Sequence, residues 1–376
     1  MTTVSVRPFG STGDGKAVTQ YTLKNENGMC VQLLSYACAV QRMVIPDKNG
    51  VPRDVVLGYD TLEGYENGSS FFGAFVGRYA NRIKNAAFPL GGKMVRLRPN
   101  AGAHHLHGAF ARRVFDGEMT DGGVVFRYMS PPDEEGYPGM LTGEVRYSLT
   151  ADNALVIAYT ATADADTVVN LTNHAYFNLN GQDGSDVLNH LLQIDADSYT
   201  DMDGSLIPTG KINSVDGTAL DFRSEKPIGA DIAQLTQSGG YDHNLILNGS
   251  TGALHRFATA KSGSTGIILT AYTTEPAIQL YTGNFIQNDT AAHGKNGGSR
   301  QKRRALSAIR RLLSGGAALS LLAELSAVSV HGAQKGRDLP PDDRLSAFGC
   351  RVTGGDSSAF AVARIIPASD EKKDDF

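Results

Sequence analysis

Short runs of strand-forming residues, separated by glycine, proline and other turn-forming residues, extend over the first 298 positions of this chain. The sequence contains 43 glycines and 14 prolines, which interrupt helices but suit the turns between strands. No sustained helical periodicity precedes position 300, so we expect a mainly β protein, a large sandwich or barrel. The runs expected to form strands are 18–23, 30–46, 124–129, 144–149, 154–159, 168–173, 191–194, 267–273 and 277–282.

Charge and cysteine content narrow the class of protein. Lys and Arg number 35 against 39 Asp and Glu, for a net charge of −4, which gives nucleic acid no general attraction. No stretch reaches the ~20 apolar residues of a bilayer span, and the start does not resemble a signal peptide. The cysteines, Cys30, Cys38 and Cys350, lack metal-site spacing. We therefore expect a cytoplasmic protein without nucleic-acid or membrane partners.

Five of the nine histidines lie in short polar clusters, and most of the polar clusters place polar side chains beside Tyr or Phe. Amides and charged groups pair with sugar hydroxyls, while aromatic faces cover the C–H surface of a sugar ring. The sequence has neither a Walker-type phosphate loop nor a dinucleotide fingerprint. These residues alone predict a polar small-molecule site on a β scaffold. The clusters are 77–83, 100–108, 170–181, 241–247 and 276–285.

Six segments resemble those of the aldose 1-epimerase (galactose mutarotase) family, and they follow one another in family order. The resemblance implies the fold of that family over residues 1–298, a large antiparallel β-sandwich known as the galactose-mutarotase-like supersandwich. Two positions differ from the family pattern, Ala109 and Ala175, where the family has Gly and Ser. The matching segments are Gly-Arg-Tyr-Ala-Asn-Arg-Ile (77–83), Leu-His-Gly (106–108), the loop 130–139, Asn-Leu-Thr-Asn-His-Ala-Tyr-Phe-Asn-Leu (170–179), Tyr-Asp-His-Asn (241–244) and Gln-Leu-Tyr-Thr-Gly-Asn-Phe (279–285).

The resemblance implies an isomerase that interconverts the α and β anomers of free hexoses such as galactose or glucose. A general base removes the proton of the anomeric hydroxyl while a general acid protonates the ring oxygen, so that the ring opens and closes again. No redox step or phosphoryl transfer occurs, and neither a cofactor nor a metal is implied. The expected partner is a monosaccharide, and the protein is expected to be a monomer or a homodimer.

The resemblance also assigns roles to individual residues. His174 matches the general acid, and its ordinary pKa near working pH makes a protonated form available. His107 matches a histidine that hydrogen-bonds near the ring oxygen. The alternative for His174 is a core histidine, and for the loop at 81–82 a surface turn closed by a salt bridge. The residues expected to bind the sugar or line the pocket are Asn81, Arg82, His107, Tyr176, Asp242 and Gln279.

Three other functions would use the same residues. His105 and His107 alternate as two metal ligands on one strand face would, and His104 and His174 could join them. No Glu-rich segment follows to complete such a set, which disfavours a metal. A non-catalytic sugar-binding protein on the same scaffold is the principal alternative. A mutarotase for hexose phosphates would need clustered cations, of which Arg82 supplies one.

The family resemblance ends near position 299. The family's general base is a Glu in a segment resembling Leu-Glu-Thr-Gln, followed by an Asn/Pro-rich stretch and a last strand ending near Tyr-Arg-Phe. No such segment follows here, so the base stays unknown. We expect residues 299–376 to be a divergent segment, partly helical (317–328) or disordered. One hypothesis is a shifted reading frame near codons 299–300; a genuine replacement would leave neighbouring strands with unpaired edges.

Overall fold

Strands dominate the computed structural model, which describes residues 1–182, 184–286, 320–322, 350–352 and 356–367. The helix α1 (Leu62–Asn67) begins after Thr61, whose side-chain oxygen accepts a hydrogen bond from the Gly64 N–H and so caps the first turn. Within the described ranges, no helix is long and apolar enough to cross a bilayer. Short 3₁₀ turns lie at Lys84–Ala86, Phe110–Arg112, Glu134–Gly136 and Ile232–Gln234.

Strands follow one another closely along the chain. Those of its first part are β1 (Thr3–Ser11), β2 (Ala17–Lys24), β3 (Cys30–Leu34), β4 (Val40–Pro46), β5 (Pro52–Asp54), β6 (Ala74–Val76), β7 (Arg82–Ile83), β8 (Ala87–Leu90), β9 (Lys93–Arg96), β10 (His105–Leu106), β11 (Asp116–Thr120), β12 (Gly123–Ser130), β13 (Leu141–Leu149) and β14 (Ala154–Ala163). Those of the remainder are β15 (Thr167–Val169), β16 (Thr172–His174), β17 (Leu191–Ile194), β18 (Ala196–Met202), β19 (Pro208–Ser214), β20 (Lys226–Pro227), β21 (Asp242–Leu247), β22 (His255–Lys261), β23 (Ile267–Thr273), β24 (Ala277–Tyr281), β25 (Ser320–Leu322), β26 (Cys350–Val352) and β27 (Asp356–Pro367).

These strands pair antiparallel and build three larger sheets. The first runs β1-β2-β3-β4-β5, the second β11-β12-β13-β14-β27-β23-β22-β17-β20, and the third β19-β18-β21-β24-β25. Buried side chains of all three sheets, such as Leu33, Tyr147 and Leu280, belong to one apolar cluster. The core therefore lies between the sheets, and the predicted mainly β, antiparallel sandwich is confirmed.

Most strands expected from the sequence are present, and one is divided. Leu191–Ile194 and Ile267–Thr273 agree residue for residue with β17 and β23, and 30–46 contains both β3 and β4. The run 168–173 was expected as one strand, which is wrong, because it breaks into β15 and β16. At the break, Asn170 forms an isolated parallel bridge with Tyr79, a tertiary contact that strand propensity does not encode.

The divergent C-terminal segment contributes strands where the structure describes it. The helix expected over 317–328 is wrong at Ser320–Leu322, which form β25 beside β24; its other residues lie outside the described ones. A short apolar run does not distinguish a buried strand from a buried helix. β27 pairs with β14 on one side and β23 on the other. The expectation of unpaired edges is therefore wrong for those two strands.

Glu275, in the turn between β23 and β24, is a buried carboxyl group. Its side chain is 2% exposed, and Oε2 has no hydrogen-bond partner. Burial raises the pKa of Glu275 to about 7, although a hydrogen bond from Thr274 opposes the rise. The folded protein therefore holds this proton more tightly than the unfolded chain does. The resulting stability is fully present below the ordinary glutamate pKa and is lost as pH rises through about 7.

We expect Glu275→Gln to flatten the pH dependence of stability. Between pH 5 and pH 8 the free energy of unfolding of the wild type should fall by about 2–3 kcal/mol relative to the variant. Urea denaturation at several pH values measures the difference. Glu63→Gln, on the exposed side of α1, serves as the matched control. Parallel curves for wild type and Glu275→Gln would contradict the prediction.

Candidate active site

Two polar clusters far apart in the sequence lie side by side because β6 pairs with β16. In that pairing His174 stands opposite Ala74. Further along, the Asn170 N–H donates to the carbonyl oxygen of Arg78, and the Ala80 N–H donates to the carbonyl oxygen of Asn170, each over 2.8 Å. These backbone hydrogen bonds join residues 78–80 to Asn170 along one side of the site. They also fix the start of β16, the strand that carries His174.

His107 is held in place by a reciprocal exchange with Asn81. The His107 N–H donates to the carbonyl oxygen of Asn81, and the Asn81 N–H donates to Nδ1 of His107, each over 3.1 Å. Both residues have left-handed backbone, with φ of 64° and 63°, strain that is typical of functional sites. Gly108 follows, where a Cβ would lie 2.2 Å from the carbonyl oxygen of Gly77. The Leu-His-Gly motif therefore requires this glycine.

Aromatic rings surround His174. Its ring stacks on Tyr176 with centroids 4.8 Å apart and on Phe71 with centroids 6.0 Å apart. The ring of His107 stands almost perpendicular to it, with centroids 5.3 Å apart. The site thus brings His107, His174 and Tyr176 together, as the sequence suggested. Phe71 was missed, because it follows Ser70 in a stretch that contains no histidine, amide or charged side chain next to the ring.

A chain of polar side chains forms the opposite part of the site. β21 and β24 pair so that Asp242 and Gln279 lie on neighbouring strands, and Nε2 of Gln279 donates to Oδ1 of Asp242 over 2.7 Å. Nδ2 of Asn81 donates to Oε1 of Gln279 over 3.4 Å. Nη1 of Arg82 donates to Oδ1 of Asn81 over 3.5 Å. Asn81 therefore connects the histidines to the carboxylate.

Burial governs the charge state of these groups. It lowers the pKa of His174 to about 4 and holds that of His107 well below its ordinary value, with the neighbouring His174 adding to the effect. Burial also raises the pKa of Asp242, although Arg82 and Gln279 act against it. The expectation that His174 titrates near working pH is therefore wrong for this site. The free-energy cost of removing an imidazolium from water exceeds the stabilisation that its neighbours provide.

The histidines considered as metal ligands have other partners. Nδ1 of His105 lies 2.7 Å from the carbonyl oxygen of Arg98, and Nδ1 of His104 accepts from the Asn85 N–H over 3.0 Å. Over the described part of the chain, no group of three or more His, Cys, Asp or Glu side chains is arranged to hold a metal ion. The donors and acceptors of the site are of the kinds that can pair with hydroxyl groups.

The histidine environment can be tested directly by NMR. We expect His174 to remain neutral at pH 6, because its burial lowers the pKa to about 4, whereas an exposed histidine titrates near 6.5. Titration of ¹⁵N-labelled histidine rings, with His174→Asn to assign the signal, measures this. A midpoint for His174 above pH 6 would show that water reaches the ring and contradict the burial argument.

Three comparisons with known proteins agree on the relatives of this chain. The profile of the family described as Aldose 1-epimerase matches residues 19–305. The chain is 39% identical to a galactose mutarotase from Bos taurus over 300 residues, which is 79% of this chain and 86% of that protein. It is also 39% identical to an aldose 1-epimerase from Escherichia coli K12, over 73% of this chain and 81% of that protein.

Solved structures extend the similarity to the whole fold. A galactose 1-epimerase from Lactobacillus acidophilus superposes with a TM-score of 0.75 at 25% identity, covering 97% of this chain and 99% of that one. An aldose epimerase homologue from C. elegans superposes with a TM-score of 0.71 at 28% identity, covering 91% and 97%. The family profile ends at residue 305, close to the position at which the sequence stops resembling the family.

Proposed function

The chain belongs to the aldose 1-epimerase family, and from that premise we propose that it interconverts the α and β anomers of free hexoses such as galactose or glucose. The observation that carries the proposal is the hydrogen-bonded set Asp242–Gln279–Asn81–Arg82 facing the perpendicular rings of His107 and His174. The first set offers acceptors and donors for sugar hydroxyls, and Arg82 adds a fixed fork of N–H groups. The second offers groups for proton transfer.

We assign His174 the role of general acid toward the ring oxygen. Because burial lowers its pKa, its imidazolium is a minor form at neutral pH but a stronger acid than that of an exposed histidine, which favours proton transfer once it forms. Nδ1 of His107 accepts from the Asn81 N–H, so its neutral ring carries the proton on Nε2. The Nε2–H of His107 can donate a hydrogen bond toward the ring oxygen of the sugar. The ring of Tyr176 covers one face of His174.

Mutarotation of freshly dissolved α-D-galactose, followed by polarimetry, tests the assignment. We expect His174→Ala to lower the catalysed rate about 10²–10⁴-fold, the contribution typical of one general acid. His255→Ala, at the start of β22 and outside the site, should leave the rate unchanged. Sugar binding by calorimetry without any acceleration, by a chain translated in the verified reading frame, would favour the alternative, a non-catalytic sugar-binding protein.

We also propose that residues 299–376 are written in a shifted reading frame, which would account for the missing base. Each amino acid limits the codons that can encode it. It therefore also limits the amino acids that the same bases can encode when they are read one nucleotide later. Ser314-Gly315-Gly316-Ala317, followed by Ala318, permits Leu-Glu-x-Gln in that frame, where x is Gly, Ala, Val or Glu. Beyond Ser299, neither shifted frame permits Leu-Glu-x-Gln at another position. The Thr of the family segment is not among the permitted residues.

The same shift of one nucleotide supports two further family features downstream. Ala323-Glu324 permits Pro-Asn, within the part of the segment where the family has its Asn/Pro-rich stretch. Arg344-Leu345-Ser346 permits Val-Tyr-Arg, close to the family's final Tyr-Arg-Phe, although Ala347 does not permit the Phe. One frame thus accommodates the three features in family order, and the base would be the Glu read at codon 315.

The gene sequence decides this proposal at three codons. Leu-Glu-x-Gln in the shifted frame requires TCT as codon 314, A as the third base of codon 315 and A as the third base of codon 317. We expect sequencing of the gene to find all three. Any other base at codon 315 would remove the Glu and contradict the proposal. A chain translated in the corrected frame should then mutarotate galactose faster than the chain as printed.

We further propose that the protein works in the cytoplasm as a monomer or homodimer with a monosaccharide as its partner. Free thiols at Cys30 and Cys38 fit a reducing compartment. Arg82 is the cation of the hydroxyl-binding set, and a single cation supports a free hexose better than a hexose phosphate.

A further inference from the structure

We propose that Phe71 is a positioning residue that fixes the planes of the two active-site imidazoles. The proposal rests on the mutarotase function proposed above. Phe71 lies between α1 and β6, and its ring contacts both histidines: the centroid of His107 lies 5.0 Å away in an edge arrangement, and that of His174 lies 6.0 Å away in a stacked one. Phe71, His107 and His174 therefore form a triangle of rings in mutual contact.

The backbone of Phe71 adopts an unfavourable conformation. Phe71 has φ of 55°, a left-handed conformation that is unfavourable for a bulky residue and persists only where the surroundings impose it. Here the Ala74 N–H donates to the carbonyl oxygen of Phe71 over 3.0 Å, and the Gly73 N–H donates to the carbonyl oxygen of His174 over 2.8 Å. The strand that carries His174 thus also sets the turn that carries Phe71.

Arg112 supports Phe71 on the protein side. Its Cζ lies 5.6 Å from the centroid of the Phe71 ring, a cation–π contact. The same guanidinium donates to the carbonyl oxygens of Tyr65, Glu66 and Gly68 at 2.6–3.0 Å. Arg112 is therefore fixed against the end of α1, and through it the position of the Phe71 ring is fixed as well.

His174 depends on such packing more than an ordinary histidine does. Its Nδ1 is buried without a hydrogen-bond partner, so packing against Tyr176 and Phe71 holds the ring plane. Proton transfer is sensitive to this plane, because a small misplacement of a reacting group costs up to ~10²-fold in rate. The contacts described for Phe71 do not include Asp242 or Gln279, which hold the sugar hydroxyls in the proposed function. Loss of Phe71 should therefore change turnover more than binding.

The test compares Phe71→Leu, which removes the flat ring, with Phe71→Tyr, which keeps it. For galactose mutarotation we expect Phe71→Leu to lower kcat roughly 10- to 100-fold while KM changes less than about threefold, and Phe71→Tyr to retain most of kcat. Phe88→Leu, a buried substitution in a separate apolar cluster, is the matched control for lost packing. Equal losses in Phe71→Leu and Phe71→Tyr, or in Phe71→Leu and Phe88→Leu, would overturn the proposal.

A crystal structure of the full-length Phe71→Leu variant separates this proposal from the proposed function. We expect the rings of His107 and His174 to leave their present planes in the variant. If they keep their positions, the positioning role is wrong, whatever the activity. If the wild type neither binds nor mutarotates galactose, the proposed function fails, and the ring positions in the variant still decide the role of Phe71.

Discussion

Backbone hydrogen bonds between β6 and β16, continued by those of Asn170 with the chain at 78–80, set the geometry from which the site is built. They place His174 beside the loop that carries Asn81, and Asn81 in turn holds His107 and contacts Gln279. Main-chain hydrogen bonds thus position His174, and hydrogen bonds of Asn81 with the side chains of His107 and Gln279 complete the arrangement. Arg82, His174, Asp242 and Gln279 lie in paired strands, and Asn81 and His107 lie in the segments between strands.

Desolvation is the second constraint, and at His107, His174 and Asp242 it disfavours the charged form. Arg82 and Gln279 offset part of the effect at Asp242, whereas the two histidines lie against aromatic rings. Burial thus favours the neutral forms of both histidines and of Asp242, an environment suited to an uncharged substrate.

The sequence predicted what local pattern and motif encode, and missed what only tertiary contact decides. Runs of strand-forming residues located β17 and β23, and the family resemblance indicated His107, His174, Asp242 and Gln279 as members of one site. The division of 168–173 at Asn170 follows from a bridge to Tyr79, and the low pKa of His174 follows from burial. Phe71 follows Ser69 and Ser70 outside the polar clusters, and its proposed role depends on a turn that no periodicity marks.

The C-terminal segment shows how differently a sheet and a site depend on sequence. The gap between β14 and β23 presents main-chain donors and acceptors on both sides, and β27 satisfies them although its sequence does not resemble the family. Any chain with sufficient strand propensity meets that demand, because every non-proline residue carries the same backbone groups. A catalytic base, in contrast, is one carboxylate at one position. On the proposed shift of reading frame, the base would be absent while a strand still forms between β14 and β23, so architecture and activity would separate at this end of the chain.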